Sequence, residues 1–379
     1  MILALFAALG LSLTQTMLHE HPPAAPNHDL PLLAPTTAGL DPIADNFDTA
    51  LALARDGAVP KSAAPDTSGA FRFICRAGQI AWVDPLVNFG GKAAHLHQFF
   101  GNFDVIPTST YASLRASGDS SCATTGKGIS ANRSAYWMPA MLDGRGNVVI
   151  PDFASVYYKS PPKSDLVVSD AKHSKYMGKA VDLPHGLNFI FGRDMLNLAA
   201  PSTGGFYYNC QGPTAKPGHY ATMDEAAANC PVTVTGVNGA LESNQLGVIG
   251  DAPQCWNGKE LDTPDHRSHM AYPGYGSWGY LRCPKTHPYV IPHFTLGVWY
   301  TVDSNLGTWR LASDMDELRG STFHADFMMA WSPAVKAVWN GNCVDKHLNC
   351  SGGELGDGRS IIGASGAPFH AEPRLVPVP

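Results

Sequence analysis

The sequence predicts a β-rich fold, all-β or α+β, built as one antiparallel sandwich-like domain with short helices and disulfide-stapled loops. The chain has 38 glycines and 30 prolines, and only 15% of its 379 residues are charged. Its apolar runs are short, often alternate with polar residues and end at turn-forming residues. It also carries eight cysteines. A turn-rich, weakly charged chain with many cysteines is typical of extracellular β proteins.

The first segment is an apolar run over residues 1–13. It is too short to span a bilayer as a helix and has the length of a signal peptide's hydrophobic core, so residues 1–16 are expected to be a secretion signal. No Lys or Arg precedes the run and no Ala-x-Ala motif follows it, which leaves retention as an anchor as the alternative. We expect a secreted, periplasmic or otherwise extracellular protein with no stable membrane span.

The rest of the chain divides by composition into three segments. Residues 17–69 are rich in Pro and Ala and predict a flexible tether, with one helix-compatible stretch at 45–55. Residues 70–350 are expected to form the single β-rich catalytic or binding domain, and residues 351–379 a Gly/Pro-rich tail.

Short alternating or apolar segments predict the strands. The first, Phe-Arg-Phe-Ile-Cys, lies at 71–75; the others are expected at 148–159, 187–191, 205–210, 232–237, 289–302 and 322–331. Helical signals are few. Thr222 and Glu225 have the spacing of a capping box, and Ser332-Pro333 opens a second helix that runs through Trp339.

The eight cysteines include no Cys-x-x-Cys spacing, which argues against a zinc ribbon or a thioredoxin motif. Four disulfides in an oxidising compartment are expected, with buried thiols as the alternative. Sequence does not fix the connectivity. Pairs that close short loops favour the set Cys210–Cys230, Cys343–Cys350, Cys75–Cys122 and Cys255–Cys283.

Several function classes are disfavoured. A net charge of −6 and the absence of any Lys/Arg run argue against a nucleic-acid partner. The sequence has no Gly-x-Ser-x-Gly elbow, no phosphate-binding Gly-Lys-Ser/Thr loop and no His-Glu-x-x-His motif. Serine hydrolases, nucleotide enzymes and zincins are therefore poor interpretations.

Clustered histidines are the strongest functional signal. Because residues two apart on a strand face the same way, His95 and His97 are expected to share one face, and His324 and Asp326 another. Imidazoles bind metals and transfer protons near neutral pH. The sequence predicts one shared polar site; if it holds a metal, a divalent ion such as copper or zinc, the expected ligands are His95, His97 and His324.

A polar loop at 255–269 supplies further candidates. Asp265, His266 and His269 are expected catalytic residues, and Trp256, Lys259 and Arg267 are expected to bind substrate, as is the nearby His287. The alternative is that the Asp and Arg of this loop only cap turns and pair with each other.

Tyr136 and Trp137 stand beside Asn132 and Arg133. Aromatic rings stack on sugar rings while amide and guanidinium groups bind hydroxyls and carboxylates, so Tyr136 and Trp137 are expected to line a saccharide cleft. Packing of both rings in the core explains them equally well.

These motifs, taken in order, resemble the family called domain of unknown function nineteen-ninety-six. The resemblance covers about residues 71 to 345 and rests on His95-Leu96-His97, Ser134-Ala135-Tyr136-Trp137, Cys255-Trp256-Asn257-Gly258, Asp265-His266-Arg267-Ser268-His269 and Phe323-His324-Ala325-Asp326-Phe327. Members look like secreted fungal and bacterial proteins, some joined to WSC modules that bind cell-wall polysaccharides. The resemblance implies an extracellular, carbohydrate-associated role and brings no established reaction.

The leading expectation is a secreted enzyme that cleaves a polysaccharide by hydrolysis or elimination at a His-rich cleft, whose lining and catalytic residues include His95, His97, His266, His269 and His324. Asp265 or Asp326 would orient an imidazole or serve as its acid/base partner, and Arg267 would neutralise a substrate carboxylate. A paired-carboxylate glycosidase that draws on Asp84, Asp265 and Asp326 stays open. The alternatives are a non-catalytic cell-wall glycan-binding protein and a His-ligated metal-dependent enzyme.

Overall fold

The computed structural model confirms the β-rich fold with several antiparallel sheets and short helices. It describes residues 38–55, 57, 59–122, 124–126, 128–199, 205–235, 241–275, 279–314, 318–364 and 374–379. Within these ranges no helix combines the length and the hydropathy needed to cross a membrane.

Two large sheets organise the described part of the chain. Their strands, numbered along the chain, are β1 Gly69–Cys75, β2 Ile80–Ala81, β3 His97–Gly101, β4 Ala135–Pro139, β5 Phe153–Ser160, β6 Asn188–Gly192, β7 Phe206–Gln211, β8 Gln245–Asp251, β9 His293–Thr301, β10 His324–Met328 and β11 Asn349–Cys350. The six-stranded sheet has the order β7-β8-β9-β5-β1-β11, and the five-stranded sheet has the order β6-β10-β4-β3-β2. Only the β1–β11 pair is parallel within these two sheets.

Smaller elements surround the two sheets. Four two-stranded sheets pair Leu53–Arg55 with Arg359–Ile361, Thr124–Gly126 with Ile129–Ser130, Thr233–Thr235 with Leu241–Ser243, and Gly274–Tyr275 with Leu281–Arg282. One four-stranded sheet consists of Lys179–Ala180, Tyr289–Val290, Cys255–Trp256 and Met270–Ala271. The other consists of Arg310–Leu311, Met141–Leu142, Asn147–Val149 and Leu375–Pro377. The helices are α1 Tyr111–Ala116, α2 Leu166–Ser169, α3 Met223–Ala228 and α4 Pro333–Trp339, with 3-10 turns at Thr49–Ala52 and Leu306–Thr308 and a π turn at Asn340–Val344.

Aromatic side chains fill the space between the two large sheets. Tyr136 on β4 lies 6.5 Å from Phe73 on β1 and 5.7 Å from Phe294 on β9, measured between ring centroids. Phe327 on β10 lies 4.9 Å from Phe294. Burying a ring of this size contributes about 1.5–3 kcal/mol relative to leaving it exposed. Because side chains alternate along a strand, the residues next to Tyr136 and Phe327 point to the outer face of the five-stranded sheet.

All four expected disulfides are present, so the predicted pairing is confirmed. They join Cys75 to Cys122, Cys210 to Cys230, Cys255 to Cys283, and Cys343 to Cys350. No described cysteine is free. The first bridge links β1 of the six-stranded sheet to the segment that precedes β4.

Proline divides two of the predicted strands. The segment predicted at 148–159 forms Asn147–Val149 and β5, separated around Pro151, and the segment at 289–302 forms Tyr289–Val290 and β9, separated around Pro292. Proline has no backbone N–H to donate to a neighbouring strand, so it interrupts the pairing. Residues 236–237 of the strand predicted at 232–237 lie outside the described residues.

Both predicted helices are confirmed together with their caps. The Thr222 side chain accepts from the Glu225 amide, and the Glu225 carboxylate accepts from the Thr222 amide, which is the reciprocal capping box. Ser332 caps α4, and Pro333 occupies its first turn. Each capping pattern lies within a few residues of its helix start, which is why the sequence alone could predict both starts.

The segment expected to be a flexible tether is packed onto the domain from residue 38 onward. Asp45 forms an ion pair with Arg115 at 2.6 Å, and their side chains are 8% and 0% exposed. Ala52 is fully buried, and Leu53–Arg55 pairs with Arg359–Ile361 from the expected tail. A few apolar and charged anchors thus outweigh the Pro/Ala-rich composition. Residues 1–37, including the expected signal, lie outside the described residues.

Candidate functional site

Two strands of the five-stranded sheet present polar side chains on its outer face. His97 begins β3 and His324 begins β10, where Asp326 follows two residues later. Trp137 on β4 is the cross-strand partner of both Asp326 and Phe99, so these side chains share that face. The predicted alternation in β10 is confirmed, because Phe327 lies in the core.

Three imidazoles meet at this face. His95 precedes β3, and its Nε2 atom lies 3.1 Å from Nε2 of His324. One ring nitrogen from each of His95, His97 and His324 lies within 4.8 Å of the other two. The structure therefore brings together the three residues that the sequence predicted as metal ligands, although His95 lies just before strand β3 instead of within it.

Backbone carbonyls fix how two of these rings are oriented. Nδ1 of His97 donates to the Val83 carbonyl at 2.9 Å, and Nδ1 of His324 donates to the Thr322 carbonyl at 2.9 Å. A neutral imidazole that donates from Nδ1 carries its lone pair on Nε2. Nε2 of His97 is buried and has no hydrogen-bond partner among the described residues. The cluster therefore directs lone pairs inward, as a metal site requires.

Burial keeps the imidazoles of His97 and His324 neutral. Desolvation, together with the nearby His324, lowers the pKa of His97 to about 3. Desolvation and the neighbouring His95 hold the pKa of His324 well below its ordinary value. Neutral imidazole is the form that binds a metal ion.

Two buried carboxyl groups lie beside the histidines. Oδ1 of Asp84 accepts from the amides of Leu86 at 3.1 Å and Val87 at 3.0 Å, and this turn directly follows Val83, which orients His97. Neither carboxyl oxygen of Asp326 has a hydrogen-bond partner in the described part of the chain. Burial raises the pKa of both carboxyl groups, and the Asp84 charge adds to the upward shift at Asp326.

The polar loop at 255–269 covers the free edge of β6. The amides of Asn188 and Ile190 donate to the carbonyls of Leu261 and His266 at 2.9 and 2.8 Å. Nε2 of His269 donates to the Asn188 carbonyl at 2.8 Å. An edge strand exposes unpaired backbone groups, and this loop satisfies them. His269, an expected catalytic residue, is therefore placed where it holds the loop on the sheet.

Several other candidates in this loop stabilise the loop itself. Asp265 accepts from the amides of Arg267 and Ser268; burial alone would raise its pKa, but these and its side-chain hydrogen bonds lower it to about 2. The indole of buried Trp256 donates to the Glu260 carbonyl, and Nε2 of His287 donates to the Ser268 carbonyl. For Asp265 this arrangement matches the alternative in which it caps a turn.

Arg267 and Lys259 differ in their contacts and in their exposure. Arg267 donates to the carbonyls of Gly192 at 3.2 Å and Arg193 at 2.8 Å, and its charge acts on Asp326 and His324. The guanidinium therefore joins the loop to the end of β6 and borders the polar site. Lys259 is exposed on the loop surface.

Tyr136 and Trp137 have no exposed area with which to stack on a sugar. Tyr136 lies between the two sheets, where its hydroxyl is 2.9 Å from that of Tyr158. Trp137 lies on the outer face and stacks on Phe99 at 5.3 Å. The expected sugar contacts of these two rings are corrected accordingly: both pack inside the protein, because strand β4 lies in the middle of its sheet.

His266 has a partner that the sequence did not identify. Its Nδ1 atom donates to Oδ1 of Asp262 at 2.7 Å, and both side chains are buried. The sequence pointed to Asp265 or Asp326 as the carboxylate that orients an imidazole. A spacing of four residues has no special meaning outside a helix, so no sequence signal distinguished Asp262 from the other acidic residues of the loop.

Comparison with known proteins identifies one family. Residues 84–331 match the family described as Domain of unknown function (DUF1996). No curated protein and no solved structure matches the chain. The matched segment contains Asp84, the three clustered histidines and Asp326, which is every element of the site on the outer face. Because the match extends over more than half of the chain, the protein belongs to the DUF1996 family.

Proposed function

We propose that this protein is a secreted metal-dependent enzyme whose metal ion is bound by His95, His97 and His324. The observation that carries the proposal is the inward arrangement of the three imidazoles, two of which are oriented by backbone carbonyls. A hydrogen bond between His95 and His324 would account for their 3.1 Å contact, but it would leave Nε2 of His97 buried without a partner.

The ligand set favours zinc or copper. Imidazole nitrogens bind either ion, and in a tetrahedral zinc site with Zn–N bonds of about 2.0–2.1 Å the ligand nitrogens are separated by roughly 3.3 Å. Three protein ligands leave the fourth position for water or substrate, which is the arrangement of catalytic zinc sites. A bound zinc ion would make that water more acidic and polarise a substrate oxygen.

Secretion and a carbohydrate substrate form the second part of the proposal. Four disulfides fit an oxidising compartment, in agreement with the expected signal at residues 1–16. The resemblance to secreted cell-wall proteins supports a polysaccharide as the substrate. The three-histidine site is buried, and of its three ligands only His95 is partly exposed, so the substrate is expected to approach the metal from the side of His95.

Metal stoichiometry tests the proposal directly. Full-length protein purified without a His tag is expected to retain about one equivalent of zinc or copper after incubation and desalting, as measured by elemental analysis. His97→Ala and His324→Ala are each expected to reduce the bound metal to less than a tenth of an equivalent. The control is His219→Ala, which removes an exposed histidine stacked on Tyr207. Wild-type protein that retains no metal would refute the proposal.

Glycan binding without catalysis is the second candidate, and a separate cleft favours it. This cleft has a volume of about 490 Å³ and is lined by Lys175, Tyr275 and Tyr280 among others. Tyr275 is 80% exposed, and the Lys175 ammonium lies 4.6 Å from the Tyr280 ring centroid. Exposed tyrosines and an ammonium suit an acidic polysaccharide.

The glycan-binding candidate makes its own prediction. Tyr275→Ala is expected to weaken retention on an insoluble acidic polysaccharide, whereas His97→Ala is expected to retain it. Equal retention of wild type and Tyr275→Ala would exclude this cleft as the binding surface. New reducing ends or unsaturated products released by wild-type protein would exclude a purely binding role.

A further inference from the structure

Asp262 and His266 form a buried carboxylate–imidazole pair whose second ring nitrogen is unused. Nδ1 of His266 donates to Asp262 at 2.7 Å, while Nε2 is buried and has no hydrogen-bond partner among the described residues. His266 also has a backbone φ of 53°, a conformation that is uncommon outside glycine. A strained backbone and an unsatisfied nitrogen are both costly, and they concentrate at functional sites.

The backbone register places this pair next to the histidine cluster. The His266 carbonyl accepts from the Ile190 amide on β6, and Ile190 is directly opposite Asp326 on β10. Asp326 shares its face with His324, two residues away. The charge of Asp84, whose neighbour Val83 orients His97, acts on both His266 and Asp326. These contacts place His266 on the loop side of the same group of buried polar residues.

We propose, resting on the metal-dependent function above, that His266 is the proton-transfer residue of this site, that Asp262 positions it, and that the substrate is a carboxylic ester carried by a sugar. Nε2 of His266 accepts a proton from a water molecule, and the oxygen of that water forms a bond to the ester carbon. As the carbon–oxygen bond of the ester breaks, His266 returns the proton to the departing sugar oxygen. The sum is addition of one water, which yields an acid and an alcohol.

Burial of the site favours an ester over a glycosidic bond. His97, His324 and Asp326 are buried, and His95 is partly exposed. An acyl group projects from a polysaccharide, so it can approach buried side chains while the sugar chain stays outside. A glycosidic bond is flanked by two sugar rings, and both rings would have to enter with it. His95, His97 and His324 would hold a metal ion that, when bound, would polarise an ester carbonyl and so assist attack by water.

Charges around His266 fit a group that gains and loses a proton. Burial alone would lower the pKa of His266, but the hydrogen bond and charge of Asp262, together with Asp84 and Asp265, outweigh it and shift the pKa upward. An acid/base group works best when its pKa lies near the working pH. The carboxylate on Nδ1 also fixes the tautomer, so the unprotonated nitrogen of the neutral ring is Nε2, as in other His–Asp pairs.

The test uses zinc-loaded, full-length protein and p-nitrophenyl acetate as the ester probe. His266→Gln is expected to retain about one equivalent of zinc and to lower kcat/KM about 100-fold, the usual contribution of a proton-transfer residue. Asp262→Asn is expected to cause a loss of similar size, and the double variant little more, because the two residues act as a unit. The titration of His266 in the pH profile of kcat/KM should vanish in His266→Gln.

His347→Gln is the matched control, because His347 is the other described non-glycine residue with positive φ, at 57°, and its Nε2 contacts a backbone carbonyl. It is expected to keep wild-type kinetics. If His266→Gln does not fold, Asp262→Asn decides the question. Zinc-loaded wild type that leaves the ester intact, or variants within twofold of wild-type kcat/KM, would overturn this inference. Wild type that binds no metal would instead refute the proposed function.

Discussion

Binding of one metal ion at the histidine cluster should stabilise the fold. A ligand that binds only the folded protein adds about 2.7 kcal/mol when its free concentration is 100 times Kd. For domains of 150–250 residues, 1 kcal/mol shifts Tm by roughly 2–4 °C, and the described domain is larger than these. Saturating zinc is therefore expected to raise Tm by about 5 °C.

The increase in Tm is expected to require His97. Its ring is already oriented by the Val83 carbonyl and its Nε2 lone pair is unused, so metal binding requires little reordering. Removing the His97 imidazole takes away one of the three expected metal ligands. The contacts that do not involve this side chain stay in place in the metal-free variant. His97→Ala should thus lose the response to zinc, whatever its own Tm.

Scanning calorimetry with and without zinc, and after chelation, measures the effect. Wild type should show the increase in Tm and lose it on chelation, and His219→Ala should behave like wild type. A zinc-induced increase of equal size in His97→Ala would refute the reasoning, because the stabilising ion would then be bound elsewhere.

Three further predictions concern the fold. Asp45→Ala is expected to lower the free energy of unfolding by about 3 kcal/mol in urea titrations, since it leaves the Arg115 charge buried and unpaired; an unchanged midpoint would show that this ion pair does not stabilise the fold. Replacing both Cys75 and Cys122 by Ser opens a loop with a sequence separation of 47, which the chain-entropy relation converts to about 4 kcal/mol; a loss below 1 kcal/mol would contradict it. Burial and the nearby Lys and Arg charges lower the pKa of His185 to about 4, so between pH 6.5 and 4 the unfolded chain binds a proton that the folded protein does not. The free energy of unfolding should fall over that range in wild type and fall less in His185→Gln, as followed by urea titration at several pH values.

Local patterns in the sequence predicted much of the fold. Alternation placed His324 and Asp326 on one face of β10, and the capping signals at Thr222 and Ser332 marked both helix starts. These features depend on residues only a few positions apart. Pro151 and Pro292 divide their strands by an equally local effect. The apolar residues on both sides of each proline nevertheless predicted one continuous strand.

The placement of several candidate site residues depends on tertiary contacts that local sequence patterns do not specify. Nothing near Tyr136 distinguishes a ring that faces a cleft from one between two sheets, because that depends on which strands flank β4. The role of His269 depends on the free edge of β6, 81 residues away. The partnership of Asp262 with His266 likewise required the conformation of the loop.

The prediction from composition differs most from the structure in the amino-terminal segment. Residues 38–69 have the Pro and Ala content of a linker, yet Asp45 anchors them by an ion pair and Ala52 is buried. A composition average dilutes a few anchoring residues among many neutral ones. Whether a segment folds depends on those few residues.

The alternation in β10 also has a consequence for folding. A strand that paired one residue out of register would exchange its faces, moving His324 and Asp326 between the sheets and Phe327 outward. Asp326 would then meet the rings of Tyr136 and Phe294 and lose the favourable charge of Arg267, which acts on it in the native register, so the misregistered pairing costs free energy. The polar side chains of the site therefore penalise misregistered pairing, so the same residues that define the chemistry help the chain to select its native sheet.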